Sequence, residues 1–515
     1  MSDNSQGIVQ NIRQEFESIL AYVCASETKT ADEVERNLFA QLLGLGAQLM
    51  ILFFRLRADQ SGQDRLRTEA GEEVPYHSEK QRTYFSIFGK VPFRRPYFYR
   101  QGVGKGSPLD EELSLGDDCY SDLVRELSEI LGVDVTYDKV RHFWSRLLGQ
   151  KLSTQAIKTL IAEDAADVAA YYEQKPAPDA SDEASILVVQ ADGKGIPMVR
   201  EEAAFPKSRL GKGEKRSKKK EAIVTSAYTI DINLRTPEEV VASFFQQEPS
   251  PAPSSQARNR PQNKETWATL DGKDAALIRL ADHLAKRDSA HIKQRVALTD
   301  GCEALQKRVE LHLPDFTLIL DFVHANEYLW KAANALYGET SAKRDPWVEE
   351  QTLHILSGRC DQVIAELRTL AQQPRCSQAK RKTLLSTANY FQRNLPYMAY
   401  QSYLANGWPI ASGVIEGACR HFVKDRFELS GMRWTQDGAE NLLHLRAVAE
   451  NDDWDDYHRF RKEQRHIRLY GLPYSAPIPP EQQALDQSDS DRTIRLDELV
   501  KQRQRQTSEP HQLAA

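Results

Sequence analysis

The amino-acid sequence predicts a mixed α/β protein that is mostly helical. Short apolar stretches rich in β-branched residues, such as ILVV at 186–189, are typical of buried strands. Longer stretches with apolar residues at helical spacing, such as 343–403, are typical of helices. With 515 residues, of which 40% are hydrophobic and 28% charged, the chain can form about two to four domains with a sizeable core.

Charge, hydropathy and cysteine usage limit the class of protein. The 68 basic and 74 acidic residues give a net charge of -6, so any nucleic acid would have to bind to locally basic surface. The polar N-terminus has no signal-peptide pattern, and we expect no uncharged apolar run of the roughly 18 residues that a membrane span needs. The six cysteines show neither a CxxC pair nor zinc-ligand spacing, so reduced thiols are expected. These features predict a cytoplasmic protein with no membrane partner.

The N-terminal region, residues 1–75, is predicted to be helical. Its segment 31–60 places apolar residues such as Leu38, Leu42 and Leu49 near helical spacing. This apolar face fits packing within the chain or against a second subunit.

Residues 76–175 are predicted to form a hairpin followed by a helix-turn-helix-like DNA-binding region. Aromatic and polar residues alternate around Gly89, as in a hairpin. Three helical segments follow, with Ser121, Thr136 and Ser153 as predicted N-caps. The third helix would enter a major groove. A plain three-helix packing unit fits the pattern equally well.

Residues 184–335 are predicted to form the first part of a core built on a sheet. The Pro-rich, polar stretch at 175–183 marks the boundary before it. The apolar run at 186–189 is typical of a buried central strand that delivers Asp192 to a cleft. The alternative is a strand-end turn, because Asp-Gly is a common turn pair.

A strongly basic stretch follows at 206–220. It is a solvated loop at minimum, and its charge density favours binding to backbone phosphates. The residues expected to make these contacts are Lys215, Arg216, Lys218, Lys219 and Lys220.

Two further strand-like runs end in aspartate, at Asp300 and at Asp321. The order of strands, helix and strands, with acids at strand ends, resembles a ribonuclease-H-like sheet. Residues 336–408 are predicted to be an α-helical insertion, and residues 409–472 the last part of the core. Residues 473–515 are low in apolar residues and are predicted to be a disordered tail.

Three separated carboxylates, Asp192, Asp300 and Glu416, are the candidate chemical centre. Two-metal phosphoryl transfer needs such a set, because two divalent cations must be held by shared oxygen ligands. Asp321 competes with Asp300 as the second ligand. His324 is either a catalytic residue or only a helix-start residue.

Five segments of the chain resemble DDE transposases of the ISKra group of bacterial insertion sequences, which are relatives of the Mutator-like superfamily. The resemblance covers about residues 80–470, and the Glu416 segment is its strongest part. The segments are DGKGIPM, RLGKGEKRSKKKEA, VALTDG, DFVHANEYLWKAA and SGVIEGACRHFVKDRFELSGMRW.

The resemblance implies metal-dependent DNA cleavage and strand transfer. It implies that Asp192, Asp300 and Glu416 hold two Mg²⁺ ions, with Mn²⁺ as a substitute, and that Asp321 and His324 form a DxxH motif. It also implies as partners the terminal inverted repeats of the element and target DNA, a homo-oligomer, and a place at the nucleoid in the cytoplasm.

Basic residues after Glu416 are expected to contact DNA. A helix with a carboxylate at its start and cations behind it would place the acid on metal and the cations on phosphate. An ordinary amphipathic helix is the alternative. Trp434 would grip a base by stacking or pack into the core. The candidates are Arg420, Lys424, Arg426, Arg433 and Trp434.

One departure and three alternative functions accompany this interpretation. Many relatives carry cysteine pairs near the hairpin that suggest a zinc ribbon, and this chain has none there. A ribonuclease-H-like nuclease or resolvase would use the same acids without joining strands. A domesticated DNA-binding protein would not cut, which the intact acids argue against. A glycosidase would need two acids about 5 to 10 Å apart in a sugar groove, and nothing in the sequence indicates one.

Overall fold

The computed structural model describes residues 3–25, 27–60, 66–67, 72–199, 219–245, 259–374 and 376–471. The protein is mixed α/β and mostly helical, as predicted. The chain divides into two compact units, Met1–Gln464 and Arg465–Ala515, and of the second only residues 465–471 are described. Lys215, Arg216 and Lys218 lie outside the described residues, as does the predicted tail at 473–515.

The N-terminal region consists of two long helices and a hairpin. Phe54 of the second helix stacks on Phe93 of the hairpin, with ring centroids 4.1 Å apart, so the helix packs on the strands. The hairpin turns at Gly89, as predicted, where φ is +113°. The elements are α1 (Asp3–Cys24), α2 (Ala31–Gln60), β1 (Leu66–Arg67), β2 (Glu73–Val74), β3 (Tyr76–Ser86), β4 (Gly89–Arg100), β5 (Gly104–Gly106) and α3 (Pro108–Glu112).

Among the described helices, α2 is long and apolar enough to cross a membrane, judged by length and composition alone. We expected no such segment, and the difference arises because Gln41 and Gln48 interrupt the apolar run without adding charge. Only 11% of its most apolar window is buried.

Four helices follow the hairpin. The three predicted N-caps are confirmed: Ser121, Thr136 and Ser153 each accept a hydrogen bond from a backbone N–H two or three residues into the helix. The helices are α4 (Asp122–Gly132), α5 (Tyr137–Leu147), α6 (Thr154–Ala165) and α7 (Val168–Gln174).

A five-stranded sheet forms the centre of the first unit. Its order is β8–β7–β6–β9–β10. β7 is antiparallel to its two neighbours β6 and β8, whereas β9 and β10 run parallel to β6. The strands and the helices between them are β6 (Ile186–Pro197), β7 (Lys219–Ile230), α8 (Pro237–Phe245), β8 (Gln262–Thr269), α9 (Lys273–Arg287), β9 (Gln294–Thr299), α10 (Glu303–His312), β10 (Thr317–Leu320) and α11 (Phe322–Tyr337).

The sheet separates two apolar cores. Because side chains alternate along a strand, Leu187 and Val189 of β6 face one core while Ile186 and Val188 face the other. The first core includes helices that precede the sheet in the sequence and helices that follow it. The second core includes the helices between residues 344 and 405.

The C-terminal half is helical. It contains α12 (Arg344–Leu356), α13 (Cys360–Gln372), α14 (Gln378–Asn394), α15 (Tyr400–Ala405), α16 (Gly413–Ala418), a π-helical turn (Cys419–Lys424), α17 (Asp425–Phe427), α18 (Gln436–Glu450) and α19 (Trp454–Tyr470).

Candidate functional site

Asp300 and Asp321 directly follow two neighbouring parallel strands. β9 ends at Thr299 and β10 at Leu320, and these two residues are paired in the sheet. Continued by one residue, this register places Asp300 beside Asp321. Adjacent strands lie about 4.8 Å apart, so the two carboxylates share one edge of the sheet.

Asp192 lies in the same row across the sheet as Asp300 and Asp321. The register of β6 and β9 pairs Gln190 with Leu298, and its continuation places Asp192 beside Asp300. The expectation that the strand ends at Asp192 was wrong, because β6 stays paired with β7 as far as Pro197. Asp192 therefore lies mid-strand, at the level where β9 stops.

A fixed turn holds Asp300. Its Oδ1 accepts a hydrogen bond from Cys302 N at 2.9 Å, and its carbonyl oxygen accepts one from the hydroxyl of Tyr390 at 3.0 Å. Gly301 has φ of +86°, and a Cβ there would come within 2.6 Å of that hydroxyl, so the Asp-Gly turn requires glycine. Within the described part of the chain, no donor contacts the second carboxylate oxygen of Asp300.

Asp321 is fully buried and both of its oxygens are engaged. Oδ2 accepts from His324 Nδ1 at 2.5 Å and from His324 N at 3.2 Å. Oδ1 accepts from Ser412 N at 2.8 Å and, more weakly, from Val323 N at 3.4 Å. Asp321 thus caps α11 and ties it to the segment that leads into α16.

His324 lies between Asp321 and Glu416. Its Nδ1 is 3.9 Å from Glu416 Oε1, and one ligand atom from each of the three residues lies within 4.8 Å of the other two. The hydrogen bond to Asp321 raises the pKa of His324 to about 9, against the effect of burial. These three residues could hold a metal ion by geometry, although a metal on Asp321 would compete with the imidazole.

Gln190 holds the Glu416 helix against the sheet. Its Oε1 accepts from Ile415 N at 2.8 Å, and its Nε2 donates to the hydroxyl of Tyr228 at 2.9 Å. It precedes Asp192 by two residues, so both side chains lie on the same side of β6. We did not identify Gln190 from the sequence, although an amide after the apolar run at 186–189 was the available signal.

The carboxylates of the site are held in a setting that disfavours their charge. Burial raises the pKa of Asp192, and the charge of Asp300 adds to it, while the hydrogen bond from Gly193 N opposes it. Burial also raises the pKa of Glu416, and Asp321 adds to it, with a further contribution from Asp192. Asp192 is therefore close enough to interact with the charges of Asp300 and Glu416, and Asp321 with that of Glu416.

A π-helical turn begins three residues after Glu416. Its first residue, Cys419, is buried and contacts Asp192; burial and this carboxylate raise the pKa of the thiol. Such turns are rare and are often found at functional sites. The apolar periodicity of the sequence gave no sign of this π-helical turn.

Three of the predicted DNA contacts after Glu416 are exposed: Arg420, Lys424 and Arg433. The segment of Arg433 is held beside the end of β6, because Trp434 N donates to Pro197 O at 3.0 Å and Val199 N donates to Trp434 O at 2.8 Å.

Arg426 and Trp434 are buried, in contrast to the prediction that they contact DNA. Arg426 is 1% exposed and donates from Nε and Nη2 to Gly132 O at 3.1 and 2.9 Å, which satisfies a carbonyl at the end of α4. Trp434 is 6% exposed, and its Nε1 donates to Phe427 O at 3.1 Å. Neither side chain presents a surface to DNA in this structure.

The described end of the basic stretch lies at the start of β7. Lys219 is exposed and pairs with Glu428, and Lys220 is half-buried. The pairing with Glu428 brings the beginning of β7 next to the segment that follows the π-helical turn.

No protein-family model matches this chain, and no curated protein matches it. The functional interpretation therefore depends on the residues of the site and on their arrangement.

Proposed function

We propose that this protein is an insertion-sequence transposase of the DDE type, which cuts DNA at the ends of the element and joins them to target DNA. The observation that supports this most directly is that Asp192 and Asp300 lie in register on neighbouring strands, while Glu416 lies beside His324 and close enough to Asp192 for the two charges to interact. The three acids are more than 100 residues apart in sequence.

We propose a ribonuclease-H-like core for the five-stranded sheet. Three antiparallel strands followed by two strands parallel to the first, with acids at the end of the parallel pair, support it. The four helices between Arg344 and Ala405 separate the second acid from Glu416 and would be the helical insertion of such a core.

The donor set fits divalent cations such as Mg²⁺ or Mn²⁺. Carboxylate oxygens are the ligands that hard cations prefer. Burial, with a smaller contribution from neighbouring carboxylates, raises the pKa of Asp192 and of Glu416, and a bound cation would offset both effects. When bound, two such ions polarise the scissile phosphodiester and activate the attacking oxygen.

We assign distinct roles to the two competing aspartates. Asp300, with an oxygen that accepts no hydrogen bond from the described residues, would be a metal ligand together with Asp192 and Glu416. Asp321 orients His324, which holds a proton on Nδ1 and leaves Nε2 as the ring atom available to the reacting strand. The exposed cations Arg420, Lys424 and Arg433 would contact the backbone of the bound DNA.

Cleavage and joining of DNA that carries the inverted repeats flanking this gene would test the proposal. With Mg²⁺ we expect the wild type to cut at the repeat and to join the 3′ end to a target plasmid. Asp192→Asn and Glu416→Gln should each lower both reactions by about 10³-fold or more, because each removes a metal ligand. Binding of the repeat in a gel-shift assay should remain, because the DNA-contacting cations are unchanged.

Glu349→Gln is the matched control, since it removes an exposed carboxylate of α12 that lies outside the carboxylate site. It should cut and join as the wild type does. Unaltered cleavage by Asp192→Asn or Glu416→Gln would contradict the assignment. Cleavage without joining would indicate the nuclease alternative, and repeat binding without cleavage the domesticated protein.

A further inference from the structure

An apolar stripe runs along α2. Four large apolar side chains are 41–49% exposed and stand 3, 7 and 4 residues apart, a spacing that places them on one side of the helix. We call this set the α2 stripe: Phe39, Leu42, Leu49 and Phe53.

The other sides of α2 are already packed. Gln48 donates to Glu15 of α1, and a Cβ at Gly44 would lie 3.3 Å from the same carboxylate. Phe54 stacks on Phe93 of the hairpin and is 1% exposed. Among the described residues, the helix therefore has one side packed on α1 and the hairpin and an apolar side without such contacts.

A lipid environment around α2 fits these contacts poorly. The amide and carboxylate of Gln48 and Glu15 would lie at the level of the apolar window, where the bilayer offers no water to polar groups. A helix that presents one apolar stripe and rests on polar and aromatic neighbours is typical of a protein interface.

The α2 stripe is self-complementary. Its residue types read Phe, Leu, Leu, Phe from position 39 to position 53, nearly symmetric about residue 46. If two copies of α2 cross antiparallel about a two-fold axis, Phe39 of one lies opposite Phe53 of the other, and Leu42 opposite Leu49. Such an isologous contact needs no second kind of surface.

The exposed apolar area of the two N-terminal helices is close to the minimum that a specific dimer needs. On α1, Phe16, Leu20 and Val23 are 44–49% exposed and stand at positions i, i+4 and i+7. Since a large apolar side chain contributes on the order of 150–200 Å², seven of them half exposed offer roughly 500 Å² per copy. With the α1 side chains included, the pair would bury about 1,000 Å², which is about the minimum for a specific interface.

We propose that the α2 stripe is the surface on which a second copy of this chain docks, with the two α2 helices antiparallel about a two-fold axis. The proposal does not depend on the proposed DNA chemistry, because the stripe contains no residue of the carboxylate site.

Analytical ultracentrifugation of the full-length protein tests this interface. The wild type should sediment as a dimer, and Leu42→Glu/Leu49→Glu should weaken the dimer by about 100-fold or more, because four carboxylates would then meet at its centre. Both positions are about half exposed, so the melting temperature of the substituted monomer should fall no further than that of the dissociated wild type. Leu234→Glu/Leu311→Glu, at leucines that are 68% and 69% exposed elsewhere, is the matched control and should remain dimeric.

A charge-reversal mixture tests the register. Chains with Leu42→Glu/Leu49→Glu and chains with Leu42→Lys/Leu49→Lys should each be monomeric alone and should form a heterodimer when mixed, because residue 42 of one faces residue 49 of the other. A monomeric wild type would overturn the proposal, as would a dimer that the glutamates leave intact. Flotation of the wild type as a monomer with phosphatidylcholine–phosphatidylglycerol vesicles would overturn it in favour of a membrane surface.

Discussion

Two clusters of charged side chains in this protein balance their charge in different ways. In the buried cluster around Asp164, two arginines face the carboxylates: Arg125 Nη1 and Arg461 Nη1 lie 2.8 and 3.0 Å from Asp164 Oδ1. Burial works to raise the pKa of Asp164, but contact with Glu129 and the two guanidinium groups lower it overall. Burial and the charge of Asp164 raise the pKa of Glu129 well above its usual range, which favours the neutral form of Glu129.

The carboxylate site has no comparable set of cations. Asp192, Asp300 and Asp321 lie in one row at the sheet edge, and among the described residues His324 is the cation that pairs with Asp321 and Glu416. The pKa values of Asp192 and Glu416 are raised, whereas that of Asp164 is lowered. The buried cluster pairs Asp164 with two arginines, whereas the carboxylate site keeps an excess of negative charge that a bound cation would balance.

Removing an arginine from the buried cluster should produce the largest effect. Arg125→Leu leaves Asp164 buried with one arginine and should lower the free energy of unfolding by about 3–5 kcal/mol. A urea titration followed by circular dichroism measures it. Arg36→Leu is the control, because its pair with Asp32 has side chains that are 74% and 67% exposed, and it should change the free energy by less than about 1 kcal/mol. Equal effects of the two substitutions would show that the buried cluster contributes no special stability.

One histidine in each of the two clusters extends the comparison, because the pKa values of these two histidines shift in opposite directions. His458, beside Glu129 and Arg461, is 3% exposed, and burial lowers its pKa to about 4. His324, hydrogen-bonded to Asp321, has its pKa raised to about 9. The folded state therefore disfavours the proton on His458 and favours it on His324.

The protein should lose stability in acid through His458. Between about pH 6.5 and 4 the unfolded state binds a proton that the folded state rejects, so the free energy of unfolding falls as the pH falls. From the shift we expect a contribution of about 2–4 kcal/mol. Urea titrations at pH 7, 5.5 and 4.5 should show a shallower decline for His458→Gln than for the wild type. Parallel declines would show that His458 does not carry the acid sensitivity.

The positions of the acids could be predicted from the sequence because local patterns determine them. Apolar β-branched runs before Asp300 and Asp321 indicate strands, and those aspartates do follow β9 and β10. N-caps such as Ser121 were predictable for the same reason, since a cap depends on a few neighbouring residues. The end of the strand at Asp192 was predicted wrongly, because the pairing that extends β6 comes from β7, beyond a basic stretch.

Contacts between distant segments could not be predicted. Gln190 meets Ile415 across 225 residues, and Arg426 meets Gly132 across 294. A single sequence gives no sign of such pairs, so Arg426 looked like a DNA contact when it is a cap for the end of α4. The different roles of Asp300 and Asp321 could not be predicted for the same reason. The hydrogen bond that Ser412 N donates to Asp321 forms only when these distant segments come together in the fold.

The stabilisation of the folded protein by Mg²⁺, a smaller effect, should distinguish the roles of Asp300 and Asp321. Mg²⁺ at ten times its dissociation constant should raise the free energy of unfolding by about 1.4 kcal/mol, because it binds the folded site and not the unfolded chain. Asp300→Asn should abolish this gain without lowering the starting stability by much. Asp321→Asn should lower the starting stability by about 1–3 kcal/mol, since it weakens the cap of α11 and the contacts with His324 and Ser412, yet it should keep the gain. Glu349→Gln, the control, should keep both the starting stability and the gain from Mg²⁺. If Asp321→Asn abolishes the gain and Asp300→Asn keeps it, the metal lies on Asp321, His324 and Glu416, and the hydrogen bond between Asp321 and the imidazole must break when the ion binds.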